Sequence, residues 1–214
     1  KFNRDGSVNN IAGHNQVYTA LGVFILWVGW FGFNAGSTVS VEGASFGFIA
    51  LNTNLAAAAG AVAATFISWL MLGKSDIPTI LNGALAGLVA ITASCAFVDP
   101  WASVVIGLIA GVLVYFSMKL FEKLKVDDPI FALSVHGAAG VWGTLSTGFF
   151  ATPELADQWG GQAGLFYGGG LGQLGVQAMG VAASGAFAFV VSFIILYVIK
   201  LVLGGLRVSE EEEI

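Results

Sequence analysis

The chain has 214 residues, of which 57% are hydrophobic and only 10% are charged, and its formal net charge is −5. A water-soluble globule of this size needs more charged residues on its surface than this chain has. The composition therefore excludes an ordinary soluble protein and indicates a polytopic membrane protein. The 8 basic residues give no support for nucleic-acid binding. The single cysteine, Cys95, cannot form an internal disulfide and is expected to be a buried small apolar side chain.

Six uncharged runs follow a polar start, and each is close to the ~20 residues that a helix needs to cross a bilayer. They predict an all-α fold with six transmembrane helices, the last of them long and tilted. The expected spans are residues 13–37, 46–72, 78–98, 101–118, 129–151 and 173–199. Because the chain opens on Lys1 and stops in a run of glutamates, we expect it to be a fragment of a longer protein.

The basic residues predict the orientation, because cytoplasmic loops attract Lys and Arg. With six spans, every basic residue lies on the side that holds both chain ends, and we expect that side to face the cytoplasm, in an inner or plasma membrane. The opposite loops carry acidic side chains, which would raise the local concentration of a cation. These acids are Glu42, Asp99, Glu154 and Asp157.

The fifth run carries one ionisable side chain within the membrane, His136. Charge at this depth is costly, so the imidazole is expected to be neutral, with one ring nitrogen donating and the other accepting. An intramembrane ionisable residue is a candidate functional group, with a hydrogen-bonded structural histidine as the alternative. Asp128 is the expected N-cap of this helix and Pro129 its first residue. Close helix packing is expected at Gly137, Gly140, Gly143 and Gly148.

The first run contains GWFGFNAGS, in which Trp30, Phe33, Asn34 and Ser37 lie on one helical face. An aromatic face attracts a cation and a hydroxyl accepts its hydrogen bond, so this face predicts an entrance for a small hydrogen-bonding cation. Aromatic rings that fill a core or mark the membrane interface are the alternative. The opposite face is expected to pack against another helix through Gly29, Gly32 and Gly36.

The remaining polar residues within the spans predict structure rather than chemistry. Trp142 is expected to pack, and His14 to be solvated or to cap a helix. Cross-helix hydrogen bonds are expected at Asn52, Thr53, Asn54, Asn82, Ser94 and Ser184. The sequence shows no metal-binding, phosphate-binding or nucleophile motif, so we expect no cofactor, no metal and no enzymatic reaction.

Four strings stand in one order along the chain: GWFGFNAGS, NGALAGLVAIT, VDDP followed by VHGAAGVWGTLSTG, and GLRVSEEEEI. On these strings the sequence resembles the Amt branch of the ammonium transporter family (Amt/Mep/Rh) over essentially all 214 residues. The match is to the second half of the family, its sixth to eleventh spans. The resemblance implies eleven spans, the first ten forming two inverted five-helix repeats, of which this chain would hold the second repeat and the final long helix.

The resemblance also implies roles for single residues. His136 matches the second of two pore histidines, and Ser37 matches the hydroxyl of the external ammonium site. Phe33 matches one of two stacked phenylalanines that close the outer pore, and Trp30 an aromatic residue that lines the path below. His14 matches a histidine of a cytoplasmic loop. Asn34 belongs to the motif without an assigned role.

The implied function is transport of ammonium or methylammonium across a lipid bilayer by a homotrimer with one pore in each subunit. Ammonium would lose its proton at the outer face and cross a hydrophobic, histidine-containing pore as ammonia. Residues 204–214 would begin a cytoplasmic tail that contacts a neighbouring subunit and can meet a PII-type regulator. An ammonium-sensing receptor on the same scaffold and a purely structural six-helix protein remain as alternatives.

Three positions depart from the usual pattern of the family. Phe131 stands where many members have an acid, and Ser134 stands where they have glycine. Both lie on the cytoplasmic approach to His136. Ala93 stands where a proline is usual.

Overall fold

The computed structural model describes residues 7–8, 13–42 and 45–208, and from residue 13 onward its secondary structure is entirely helical. The helices are α1 (Gln16–Asn34), α2 (Ser45–Leu72), α3 (Ile77–Thr92), α4 (Pro100–Lys123), α5 (Ala139–Phe150), α6 (Pro153–Asp157) and α7 (Gly172–Leu203). A 3-10 turn, Ala35–Thr38, extends α1; a π-helical turn, Leu133–Ala138, precedes α5; and a short 3-10 turn, Leu165–Tyr167, precedes α7. The predicted all-α class is therefore confirmed.

Among the described residues, 4 segments are long and apolar enough to cross a membrane: α1 with its 3-10 extension, α2, α4 and α7. α3 is apolar but has only 16 residues, because its regular helix ends at Thr92 rather than at the predicted residue 98. The fifth predicted span consists of the π-helical turn and α5 together, and α6 is a short helix that the hydropathy pattern did not indicate. Each of the six predicted runs thus contains helix.

Polar residues in the loops determine where several helices begin. The Asn15 side chain caps α1 by accepting hydrogen bonds from the backbone N–H groups of Val17 (2.9 Å) and Tyr18 (3.1 Å). Asp76 accepts the N–H of Thr79 at 3.0 Å at the start of α3. These side chains satisfy backbone donors that have no partner inside the helix, and so they stop each apolar run at a defined residue.

The core lies where α2 passes between α3 and α4, and it is built from small residues. The carbonyl oxygen of Ala56 lies against the backbone of both Gly87 on α3 and Gly107 on α4, and the carbonyl of Gly60 lies against Gly111. No side chain larger than hydrogen fits at these glycines, because a Cβ atom would overlap a backbone oxygen. The three helices therefore meet backbone to backbone, as small residues allow in membrane bundles.

The contacts also give the direction of each helix. Residue 56 lies opposite 87 and residue 64 opposite 83, so α2 and α3 are antiparallel; residues 56 and 60 meet 107 and 111, so α2 and α4 are parallel. On α5, Gly143 meets Ala90, and the Ser146 hydroxyl donates to that of Ser94 at 3.2 Å. α3 and α5 are therefore parallel, and the chain alternates in direction from α2 to α5.

The predicted close packing is confirmed at Gly143 and Gly148 but not at Gly137 or Gly140, and no described residue packs on the α1 glycines. Gly143 lies against Ala90, and Gly148 lies against the Leu174 backbone. By contrast, no described atom would lie within 4 Å of a Cβ atom at any of the three α1 glycines, 29, 32 and 36. Sequence spacing shows which residues share a face, but it does not show which neighbour covers that face.

The chain divides into two compact units, Lys1–Gln177 and Ala178–Ile214. The second unit holds most of α7, whose side chains from residue 178 onward are largely exposed, including a row of stacked rings at Phe189, Phe193 and Tyr197.

Two of the basic residues on which the predicted orientation depends, Lys1 and Arg4, lie outside the described residues, and so does the acidic run of the expected tail. The predicted orientation and tail stay predictions.

Candidate functional site

The C-terminal end of α1, called its outer end after the predicted orientation, brings three of the predicted site residues together. The Trp30 and Phe33 rings meet edge to face, with centroids 5.8 Å apart. One turn further, the Ser37 hydroxyl donates a hydrogen bond to the Phe33 carbonyl oxygen. The Phe33 side chain is 57% exposed and Ser37 is also exposed, so an aromatic face and a hydroxyl stand side by side on an open surface.

Two side-chain hydrogen bonds hold this end of α1 in place. The Trp30 indole N–H donates to the Thr92 hydroxyl at 2.9 Å, which fixes the ring against α3. The Asn34 amide, only 5% exposed, donates to the Thr53 hydroxyl at 3.1 Å and ties α1 to α2. Asn34, which had no assigned role in the sequence, is therefore a structural link behind the aromatic face.

An open recess of about 220 Å³ lies beside this face. Phe33, Ser37 and Thr38 line it from α1 and its 3-10 extension, and Phe97 lines it from the chain that follows α3. Trp159, from the loop after α6, also lines it. Sequence reasoning missed Trp159, because a loop residue some 120 positions from the motif gives no periodic signal.

The hydrogen bond that Ser37 makes decides what its oxygen can offer to a ligand. Because the hydroxyl hydrogen points to the Phe33 carbonyl, Oγ has no hydrogen left to donate to a ligand, and both of its lone pairs are free to accept hydrogen bonds. An acceptor beside an aromatic ring suits a small cation that carries N–H groups.

His136 lies in the π-helical turn Leu133–Ala138, where the backbone is wider than an α-helix. The Asp128 carboxylate stabilises the N-terminal end of this turn. It accepts hydrogen bonds from the N–H of Leu133 (3.2 Å), the N–H of Ser134 (3.1 Å) and the Ser134 hydroxyl (3.2 Å). Both Asp128 and Ser134 are buried. Ser134 thus adds a hydroxyl bond that a glycine at this position could not make.

The predicted start of this helix at Pro129 is wrong. Phe131 has a positive φ of 58°, in the left-handed region, which interrupts any helix that begins at the proline. Regular helical structure begins at residue 132, and the Asp128 carboxylate reaches forward to residues 133 and 134. The acid remains at the start of the helix as expected, but it bonds later residues than an ordinary N-cap does.

The structure does not bring His136 into contact with the outer aromatic pair. Gly143 is level with Ala90, two residues before Thr92, to which Trp30 is bonded. At 1.5 Å per residue, His136 lies about 10 Å nearer to the other end of the helices than this level. Its side chain is exposed, and its ring makes no hydrogen bond with the described part of the chain.

The other polar predictions have mixed outcomes. Asn54 accepts from Trp27 at 3.2 Å, which links α2 to α1 as predicted, whereas Asn52 donates to the carbonyls of Cys95 and Val98, both at 2.9 Å, in the segment between α3 and α4. Thr53 and Ser94 also make the predicted cross-helix bonds. Asn82 instead bonds Pro78 of its own helix. Trp142 packs as expected, with its N–H on the Ile106 carbonyl at 3.1 Å.

The loops at the outer end hold acidic side chains. Tyr167 donates a hydrogen bond to the Asp99 carboxylate at 3.0 Å, and partial burial, together with that bond and the charge on Asp99, raises the pKa of the Tyr167 hydroxyl. Glu154 and Asp157 on α6 are exposed. No cluster of His, Cys, Asp or Glu able to hold a metal ion occurs in the ranges that the structure describes.

Comparison with known proteins gives one consistent result. The model of the Ammonium Transporter Family matches residues 1–214. The chain is 47% identical to ammonium transporter Amt2 of Archaeoglobus fulgidus, and the match covers 100% of this chain and 46% of that relative. It is 41% identical to an ammonium transporter of Bacillus subtilis, and this match covers 98% of this chain and 50% of that relative. The chain thus spans about half the length of these curated relatives.

Solved structures agree with the sequence matches. A protein described as "Sensor Amt Protein" superposes with a TM-score of 0.89 at 40% identity, covering 100% of this chain and 51% of that one. Candida albicans Mep2 superposes with a TM-score of 0.87 at 32% identity, covering 97% of this chain and 46% of that one. With its helical fold and a family match along its whole length, this multi-pass membrane chain belongs to the ammonium transporter family.

Proposed function

We propose that the protein to which this chain belongs transports ammonium across a membrane, with the outer end of α1 as its recruitment site and His136 as a pore residue. The observation that carries the proposal is the outer face itself: a hydrogen-bond acceptor on Ser37 stands beside the Phe33 and Trp30 rings on an open recess. Membership of the ammonium transporter family supports the choice of ammonium as the cation.

Recruitment would use the two kinds of contact available at this face. Ammonium donates up to four hydrogen bonds, one of which the Ser37 oxygen can accept, and its charge is attracted to the face of an aromatic ring. Acidic side chains at this end, such as Glu154 and Asp157, would raise the concentration of cations near the recess. Methylammonium keeps three N–H groups and would bind in the same way.

Passage beyond the aromatic pair favours the neutral molecule. A bare cation moved into a low-dielectric span without partners costs several kcal/mol or more, whereas ammonia keeps its hydrogen-bonding capacity at a much smaller cost. The His136 ring is not committed to a hydrogen bond with any described residue, so both its nitrogens are available to a small polar molecule. The wide π-helical turn that carries it is a type of distortion found often at functional sites.

The test replaces His136 in the full-length protein, reconstituted in liposomes, and measures ammonium-evoked currents and methylammonium uptake. His136→Leu is expected to abolish the ammonium-specific signal, since leucine has similar size but no hydrogen-bonding atom. The matched control is His14→Leu, which removes the other histidine from an exposed position outside the site. Unchanged current and selectivity in the His136 variant would contradict the pore role.

A sensor is the second candidate, and one observation favours it: the structure described as "Sensor Amt Protein" superposes on the whole chain. A sensor would bind ammonium without net translocation. Liposomes that contain the wild-type protein separate the two candidates, because only a transporter accumulates methylammonium down an imposed gradient. Binding without accumulation would favour the sensor.

The assembly and placement of the protein are further proposals. We infer a homotrimer from the resemblance to the ammonium transporter family. We place both ends of this chain in the cytoplasm, at an inner or plasma membrane, because the basic residues of the sequence lie on one side of the six predicted spans. A PII-type regulator is the proposed partner of the tail that follows α7. Because the named relatives are transporters, we also propose that this protein is not an enzyme.

A further inference from the structure

Trp159 contributes an aromatic wall to the outer recess from outside the α1 motif. Its side chain is 54% exposed and lines the same recess as Phe33 and Ser37. The other residues that line the recess come from α1 and its 3-10 extension, from α2, and from the end of α3 and the segment that follows it. Because the indole is exposed and lines the recess, its ring is accessible to a cation bound there.

Backbone hydrogen bonds at the C-terminal end of α6 hold the backbone at Trp159 in place. The N–H of Gly161 bonds the Ala156 carbonyl at 2.9 Å and the N–H of Gly160 bonds the Asp157 carbonyl at 3.1 Å. Gly160 has a φ of 69°, the left-handed value that glycine adopts without strain. This is the hydrogen-bond pattern of a Schellman motif, and Trp159 directly precedes its left-handed glycine. The loop therefore presents the indole from a defined backbone position.

The start of α6 is anchored to the recess as well. The N–H of Thr152 donates to the carbonyl of Phe97 at 2.9 Å, and Phe97 lines the recess. The Thr152 side chain is buried and accepts the N–H of Leu155 at 3.3 Å, which caps α6. Five residues of helix thus connect the part of the recess that Phe97 lines to Trp159, so the ring is part of the recess and not of a detached loop.

The recess has room for more than ammonium. At about 220 Å³, it exceeds the ~30 Å³ that one water molecule occupies in the liquid by several-fold. A methylated ammonium ion would fit and would bring methyl groups against the aromatic rings. The charge around Trp159 is also favourable, because the α6 side chains Glu154 and Asp157 are acidic and residues 126–199 contain no Lys or Arg.

We propose that Trp159 is a substrate-binding residue of the outer recess, whose indole face binds ammonium and methylammonium together with Phe33 and Ser37. The inference rests on the proposed transport function, since it names a further residue of the same recruitment site. Because cation–π attraction depends on the ring and not on the indole N–H, a phenylalanine at this position retains part of the effect.

The experiment compares Trp159→Leu, Trp159→Phe and wild type in the full-length protein, with methylammonium uptake measured over a range of concentrations. Trp159→Leu is expected to raise KM about 2- to 5-fold, the range that an exposed cation–π contact gives, with a smaller change in maximal rate. Trp159→Phe is expected to fall between leucine and wild type. The control is Trp69→Leu, which removes a similarly exposed tryptophan from the far end of α2 and should leave KM unchanged.

A binding readout separates this inference from the transport function. Methylammonium chloride is expected to raise the Tm of the purified wild-type protein above that in sodium chloride, and Trp159→Leu is expected to reduce this shift. If wild type shows the shift but no uptake, and Trp159→Leu reduces the shift, transport is wrong and the role of Trp159 stands. If KM and the Tm shift are the same in Trp159→Leu and wild type, the role of Trp159 is wrong while transport stands. A wild type that shows neither overturns both.

Discussion

The outer end of α1 and the π-helical turn before α5 both pack against α3, but they hold their key side chains in different ways. At the outer end, the side chain of Trp30 is itself hydrogen-bonded, and Ser37 is bonded to the turn behind it. At the turn, the bonds go to the backbone around His136, while the imidazole makes none with a described residue. At the outer end of α1 the side chains themselves are held in place, whereas at the π-helical turn only the backbone is held and the His136 ring has no hydrogen bond to a described residue.

This difference suits two different tasks. A surface that selects a cation needs rings and acceptors at constant positions, because cation–π and hydrogen-bond energies fall steeply with misplacement. A ring that passes a small molecule along needs both nitrogens available. Four changes, in order of decreasing expected effect, test whether the two regions are separate in stability and in function.

The largest effect is expected from Asp128→Ala, which removes three hydrogen bonds to a buried carboxylate. The backbone donors of Leu133 and Ser134 would lose their partner, at a cost of about 2 to 3 kcal/mol in the free energy of unfolding. Thermal unfolding of the full-length protein in detergent measures the loss. The control is Asp127→Ala at the exposed neighbouring acid. Equal losses in the two variants would show that the carboxylate of Asp128 does not support the turn.

Asn52→Leu tests the support of the recess. Its amide donates to the carbonyls of Cys95 and Val98, and Cys95 lines the recess. The variant leaves both carbonyls without that donor, and we expect a loss of about 1 to 2 kcal/mol in stability together with a higher KM for methylammonium. Asn82→Leu is the control, since that amide bonds only its own helix. A loss of stability without a change in KM would show that the Asn52 hydrogen bonds stabilise the core but do not affect binding in the recess.

Phe131→Asn is expected to stabilise the protein. A left-handed backbone conformation is strained for phenylalanine and tolerated by asparagine, so relief of this strain is worth about 1 kcal/mol. A higher Tm would show it. Phe121→Asn, at a helical position in α4, serves as the control and should lower the Tm instead. A lower Tm in both variants would mean that contacts of the Phe131 ring outweigh the strain.

The smallest effect is expected from Tyr167→Phe, and it depends on pH. The pKa of Tyr167 is raised above its ordinary value of 10.0, so the folded state favours the protonated hydroxyl. The contribution to stability is complete below pH 10 and is lost as the pH rises through the folded pKa. In the phenylalanine variant, Tm is expected to be slightly lower at pH 8 and to fall less between pH 9 and 11. Parallel Tm curves would show that the Asp99 bond does not contribute.

Much of the fold follows from the sequence, because hydropathy and helix caps are local properties. Asp76 and Asp99 stand before Pro78 and Pro100, and the helices begin there. The spacing of Trp30, Phe33 and Ser37 also predicts their proximity, since residues three and four apart on a helix are neighbours. The pore and recruitment roles of these residues stay predictions.

The remaining features depend on backbone geometry or on contacts between distant segments. Hydropathy does not distinguish a π-helical turn from an α-helix, and no propensity favours a left-handed phenylalanine at position 131. Trp159 reaches the recess through the Schellman ending of α6 and the Thr152–Phe97 hydrogen bond, which link residues far apart in the sequence. The alpha-helical pattern of α1 likewise could not show that its glycine face meets no described neighbour.

The backbone contacts of α2 limit how this molecule can move. With the Ala56 carbonyl against Gly87 on one side and Gly107 on the other, α2 cannot slide or roll without first separating from both neighbours. Transport by rocking one helical bundle against another needs such a displacement at some interface. With α2, α3 and α4 held together in this way, passage would instead depend on the rotation of single side chains such as Phe33 on α1, which takes picoseconds to nanoseconds for exposed residues and far less time than the motion of a helix.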